Sequence, residues 1–115
     1  SDALARDAAR VAARCTLDHS RTENGENIAA AAPALSPTGA VALWEQEEAD
    51  WDAASNRCRA GRICGHYTQL VWRSSREVGC ASARCEGGDL GSHGPWVLAV
   101  CQYAPGGNLR GAPPY

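Results

Sequence analysis

The stretch VGCASARCEGGDLGSHGPWVLAVCQY, residues 78–103, decides how the chain is read. Two runs of strand-type residues, VGCASARC (78–85) and WVLAVCQY (96–103), flank the glycine-laden connection EGGDLGSHGP, which is the pattern of two adjacent antiparallel strands. On one extended strand Cys80 and Cys85 stand roughly 16 Å apart. A bridge tolerates only roughly 4.4–6.8 Å between Cα atoms, so these two cannot pair with each other. If Cys85 faces Trp96 across the hairpin, antiparallel register sets Cys80 opposite Cys101. With Cys58 and Cys64 closing a local loop, Cys15 is left for Cys85, which ties the first helix to the sheet. Six cysteines allow many other connectivities, and this one rests on the two strands.

An even number of cysteines in 115 residues points to a three-bridge framework made in an oxidising compartment. No Cys-x-x-Cys pair occurs and the spacings do not match a zinc finger. The length sets a ceiling of one compact domain, residues 1–115. Hydrophobic content of 44% with 21% charged residues is that of a folded globule and excludes disorder or a collagen-like repeat. No apolar run approaches the roughly 20 residues of a bilayer span, so no transmembrane segment is expected. All 11 basic residues are arginine, yet the net charge is -2, with no basic stripe to displace counterions from phosphates; a nucleic-acid partner is excluded. The chain starts at Ser1 with no visible leader, and a secreted protein after signal removal is the simplest account.

Working outward, residues 2–14 (DALARDAARVAAR) are rich in alanine and arginine, with Leu4, Ala8, Val11 and Cys15 spaced for one helical face. Arg6, Arg10 and Arg14 form a solvated row, with Asp2 placed to support Arg6. Residues 18–39 read as loops around a short helical turn near residues 27–32. Ser36 followed by Pro37 starts a helix, expected to run to about residue 54. Within it, periodicity turns Glu47 inward beside Leu43, Trp44 and Trp51 and leaves Glu48 at the edge. ICGHYTQLVWR (63–73) reads as a strand with His66, Thr68, Leu70 and Trp72 on one face. The tail PGGNLRGAPPY (105–115) is expected to be extended and held by contacts instead of a ladder.

Of the three histidines, His93 falls in the glycine-rich connection, where an exposed imidazole without a role is the expectation. Taken alone, His19 and His66 are more often structural than ligands. Their company changes the weighing. Glu26 in GEN and Glu47 on the inward helix face can join them as two carboxylates and two imidazoles drawn from four segments. Such a cluster, if buried, must be neutralised by protons, hydrogen bonds or a cation. Zinc is the cation best suited to paired imidazoles with oxygen ligands or water. Spacing alone does not bring the four together.

GHYTQLVW (65–72), followed by Cys80 and by CQYAPGGN (101–108), resembles the two signature stretches of the CAP superfamily: cysteine-rich secretory proteins, antigen 5 and pathogenesis-related class 1 proteins. Supporting matches are CTLDHS (15–20), GENIA (25–29), Trp44 with Glu47 and Trp51, Asn56-x-Cys58, the Cys64-Gly65-His66 junction and the closing Pro114-Tyr115. The resemblance spans about residues 3–115 and is nearest to the plant pathogenesis-related class 1 branch or a close microbial relative. It implies an α+β fold, a three-layer α-β-α sandwich with a central antiparallel sheet, in which the family's N-terminal helix is missing ahead of residue 2. It also implies a cavity lined by His19, Glu26, Glu47 and His66 that holds zinc or another divalent metal, with the glutamates acting through water or as outer partners. The family's disulfide pattern, Cys15 with Cys85, Cys58 with Cys64 and Cys80 with Cys101, agrees with the pairing reached from the strands.

The functional expectation that follows is a secreted, extracellular defence or host-interaction protein, of a family often antifungal, taking a sterol or other lipid as partner beside the metal. A monomer is expected. The first alternative is a metal-dependent hydrolase using the tetrad, with Glu26 or Glu47 as base. The second is a precursor whose residues 105–115 are released as a signalling peptide, weighed against a structural tail. Binding is favoured over catalysis on family grounds alone.

Overall fold

The computed structural model describes residues 1–115, except for the side chains of residues 91–93. The expectation for His93 therefore lies outside the described residues. Elements follow in the order α1 (Asp2–Ala12), β1 (Gly25–Ala31), α2 (Pro37–Glu45), β2 (Trp51–Asp52), β3 (Arg57–Cys58), α3 (Gly65–Leu70), β4 (Glu77–Glu86) and β5 (Pro95–Ala104). The main sheet is antiparallel in the order β1-β5-β4, and β2 with β3 forms a small separate ribbon.

The register of β4 with β5 sets Cys85 opposite Trp96 and Cys80 opposite Cys101, as the two quoted runs require. The bridges are Cys15–Cys85, Cys58–Cys64 and Cys80–Cys101. Strand alternation gives the sheet two distinct faces. On one, α1 lays Ala8, Val11 and Ala12 against Ile28, Cys85, Trp96, Leu98 and Val100. The Ser1 hydroxyl caps this helix by accepting from the Leu4 N–H at 3.3 Å. Arg10 pairs with Asp7, three residues back on the same exposed surface. On the other face α2 sets Ala40 and Trp44 against Ala29, Ala99, Cys101 and Tyr103. Here β4 is left partly uncovered: a trough of about 320 Å³ runs between Leu35, Ala40, Val41 and Trp44 of the α2 side and Cys80 and Ala99 of the sheet.

Three expectations are corrected. Residues 27–32 are not a helical turn: Gly25–Ala31 is a strand paired to β5 from Gly25↔Tyr103 to Ala31↔Val97. The alanines favour helix locally, and the ladder on offer from β5 overrides them. The Ser36–Pro37 start is observed, with the Ser36 hydroxyl accepting from the Gly39 N–H at 3.0 Å, but α2 stops at Glu45 and tightens into a 3-10 turn over Gln46–Asp50. Trp51 then pairs with Cys58, the Asp50 carbonyl accepts from the Arg59 N–H, and the hairpin so closed cannot continue a helix. Residues 63–73 are not a strand: Gly65–Leu70 is a short helix, and its first turn is closed by a carboxylate from elsewhere in the chain.

The tail is extended, as expected, and packs beside α3. Pro114 is buried, and its carbonyl accepts from the Arg73 N–H. Gln69 joins helix, tail and the loop before β4: its Oε1 accepts from the Gly107 N–H at 2.9 Å, and its Nε2 donates to the Ser75 hydroxyl at 3.2 Å. Both flanking glycines are there for room. A Cβ at Gly25 would stand 2.0 Å from Gln69 Oε1, and one at Gly107 would stand 2.9 Å from it.

Candidate functional site

The four residues singled out in the sequence stand as two histidine–glutamate pairs. In the first, Glu26 sits at the start of β1 opposite Gln102 of β5, and His19 lies in the loop before it. His19 Nδ1 is 3.0 Å from Glu26 Oε1. That carboxylate also accepts from the Ser20 N–H at 2.8 Å, from the Ser20 hydroxyl, and from Gln102 Nε2 at 2.8 Å. Asn24 in turn donates to Gln102 Oε1. Burial by itself pushes the Glu26 carboxyl up, but the bonds from Ser20, Gln102 and His19 outweigh it and hold the group below its ordinary value.

In the second pair, His66 Nδ1 is 2.7 Å from Glu47 Oε2. Glu47 Oε1 accepts from the His66 and Tyr67 backbone N–H groups at 2.9 and 3.1 Å, so one carboxylate closes the first turn of α3 and orients the imidazole. A carboxylate acceptor requires the proton on Nδ1, which leaves Nε2 as the open nitrogen. Trp44 lies nearly parallel to the His66 ring with centroids 6.3 Å apart, and its indole N–H is anchored on the Ile28 carbonyl. Asn27, buried in β1, donates to the His66 carbonyl at 3.1 Å and to the Tyr103 hydroxyl at 3.2 Å. Burial raises the Tyr103 hydroxyl above its ordinary value, with the Asn27 bond opposing. Tyr67 is pushed up to about 12, first by its hydrogen bond with the Tyr115 hydroxyl and then by burial.

Neighbouring positions of a strand project from opposite faces. Glu26 and Asn27 therefore draw their partners from different sides of β1, which is an edge strand. Among the described residues, no three His, Cys, Asp or Glu side chains gather to hold one metal ion. Both carboxylates are already committed to N–H and O–H donors, and each imidazole is tied to its carboxylate through Nδ1. Beside Glu47 a polar pocket of about 330 Å³ is lined by Leu43, Gln46, Asp50, Arg62 and Ile63, with Arg62 paired to Asp50 at 3.0 Å. All six cysteines are bridged, and the Ser20 hydroxyl is turned to a carboxylate instead of an imidazole. Neither is an activated nucleophile.

Sequence reasoning overlooked Ser20, Asn27 and Gln102 as partners of the pairs. The asparagines around Glu26 were visible, but their acceptors lie on distant segments and no local spacing points to them.

A sheet with one helix on one side and two on the other, three bridges and these paired residues define a CAP-type domain. A family model described as "Cysteine-rich secretory protein family" matches residues 1–103, and the chain belongs to this family. It is 47% identical over 94 residues to pathogenesis-related protein 1A1 of Solanum lycopersicum, covering 82% of the chain and 50% of that protein. It is 42% identical over 109 residues to pathogenesis-related protein 1A of Nicotiana tabacum, covering 94% and 61%. The chain thus spans about half to three-fifths of the length of these curated relatives. Among solved structures, venom allergen-like protein 4 of Schistosoma mansoni superposes with a TM-score of 0.78 at 27% identity, over 100% of this chain and 70% of that one. No helix among the described residues is long and apolar enough to cross a membrane.

Proposed function

We propose that this chain is a secreted binding module of the pathogenesis-related class 1 type, acting in defence or host interaction, in which His19 and His66 offer Nε2 to a divalent metal, zinc before others. The observation that carries the reading is the tie of each imidazole Nδ1 to a carboxylate, at 3.0 Å for His19 and 2.7 Å for His66, the arrangement that fixes ligand histidines in metalloproteins. When bound, zinc would supply a fixed positive charge and a site for water. A sterol or other lipid is the proposed apolar ligand, and the trough between α2 and the sheet, lined by Leu35, Val41 and Trp44, is where such a ligand would be held. Binding is preferred to hydrolysis because Glu26 and Glu47, the carboxylates a metal-dependent hydrolase would use as base, are already committed to N–H and O–H donors of the fold.

Zinc titration by calorimetry tests the metal reading. Binding is expected in the parent, lost in His19→Ala and in His66→Ala, and weakened as acid protonates the imidazoles. Parent-like zinc binding by either variant would reject the site.

A further inference from the structure

α3 has six residues, far fewer than the roughly 12–15 at which an isolated helix becomes even marginally stable. It must be held from outside, and it carries His66. Glu47 closes its first turn. Asn27 of β1 donates to the His66 carbonyl, the Cys58–Cys64 bridge anchors the residue before the helix, and a further hold comes from the C-terminal tail, about 40 residues further along the chain. Asn108 Nδ2 donates to the Gly65 carbonyl at 2.8 Å, while Asn108 Oδ1 accepts from the Thr68 hydroxyl at 2.6 Å. Gly107 donates to Gln69 and the Tyr115 hydroxyl meets that of Tyr67. The tail therefore grips Gly65, Tyr67, Thr68 and Gln69 of this helix.

We propose that Asn108 is a positioning residue for the His66–Glu47 pair, and that the tail works as a strap holding the imidazole in the orientation and tautomer the site uses. The inference rests on the reading of His66 as a ligand and deepens it. Asn108 combines three properties no other residue supplies together. Its amide donates to one end of the helical turn, its carbonyl accepts from the other, and its backbone has φ of 56°, a left-handed conformation that asparagine tolerates far better than most side chains. Aspartate would lose the donor. Glycine would keep the backbone conformation and lose both bonds.

Nitrogen-15 spectra of the His66 ring in the metal-free protein test this. In the parent a single Nδ1-protonated tautomer is expected. In Asn108→Gly the ring signals should move toward those of a mixed population, and zinc binding should weaken by about tenfold, the lower end of the loss seen when an outer partner of a ligand histidine is removed. Backbone amide shifts in β4 and β5 should stay in place. Thr68→Val should give the same spectral change and Thr68→Ser should restore the parent spectrum, which keeps the question open to decision if the glycine variant folds poorly. A parent-like ring spectrum in Asn108→Gly and Thr68→Val, whatever their melting temperatures, would make the tail a structural strap only and overturn the proposal. A parent that already shows mixed tautomers would overturn the His66–Glu47 pairing as well, so the two failures are told apart.

Discussion

The two histidine–glutamate pairs share a donor chemistry and differ in what surrounds it. Glu26 is 4% exposed and its imidazole partner 59%, whereas Glu47 is 18% exposed and His66 30%. In the first pair the carboxylate is the structural member, a hub for Ser20, Gln102 and His19, and the histidine rests on it from outside. In the second the histidine itself belongs to a helix whose first turn the carboxylate closes. A change at His19 should therefore report on function almost alone. A change at His66 or Glu47 should disturb fold and function together.

The largest effect is expected at Glu26. Replacing it with alanine strands the buried Gln102 amide and the Ser20 donors, at about 3 kcal/mol of stability, since unmet buried hydrogen-bonding groups each cost on the order of 1–3 kcal/mol. Urea unfolding measures this, and a loss under 1 kcal/mol would deny the hub role. Glu47→Ala removes the acceptor at the start of α3 and should cost about 1.5 kcal/mol, in the range of lost helix caps. A loss as large as that of Glu26→Ala would erase the distinction between the pairs.

Acid provides a finer test. Because the folded Glu26 carboxyl lies below its ordinary value of 4.5, the unfolded chain binds the proton first. The stabilisation is fully present above that value and is lost as pH falls through the lower folded one. Urea midpoints followed from pH 6 down to about pH 3 should fall in the parent and fall less steeply in Glu26→Gln; parallel curves would contradict the assignment. His19→Ala should be nearly silent, within about 0.5 kcal/mol, as expected for an exposed side chain. A clear drop in its thermal midpoint would show that this imidazole carries structural weight too.

What could be read from the chain depended on the range over which the deciding contacts act. The β4–β5 register and the three bridges were legible because two cysteines on one strand cannot pair with each other, and that constraint propagates to the rest. The capped start of α2 was legible because Ser36 and Pro37 act on their own neighbours. α3 was misread as a strand because GHYTQL has no local signal that outweighs its aromatic and β-branched residues. The groups that make it helical, the Glu47 carboxylate and Asn108, lie 19 and 42 residues from His66 by number. β1 failed in the opposite sense: its alanines favour helix, and only pairing with β5 makes them extended. For the candidate site, the motifs single out the four residues but not their division into two pairs. That division depends on strand alternation at Glu26 and Asn27, and Gly25–Ala31 had not been read as a strand.

Gln69 imposes a grammar on future sequence change. Its amide occupies the space that Gly25 leaves vacant and, with the Trp72 side chain, the space beside Gly107, so positions 25, 69, 72 and 107 are not free to vary one at a time. A side chain added at 25 is ruinous while glutamine stays at 69. It becomes affordable only in the company of a smaller residue there, and the tail must then find another partner for the Gly107 amide. These sites should drift through evolution together, although more than 80 positions separate the first from the last.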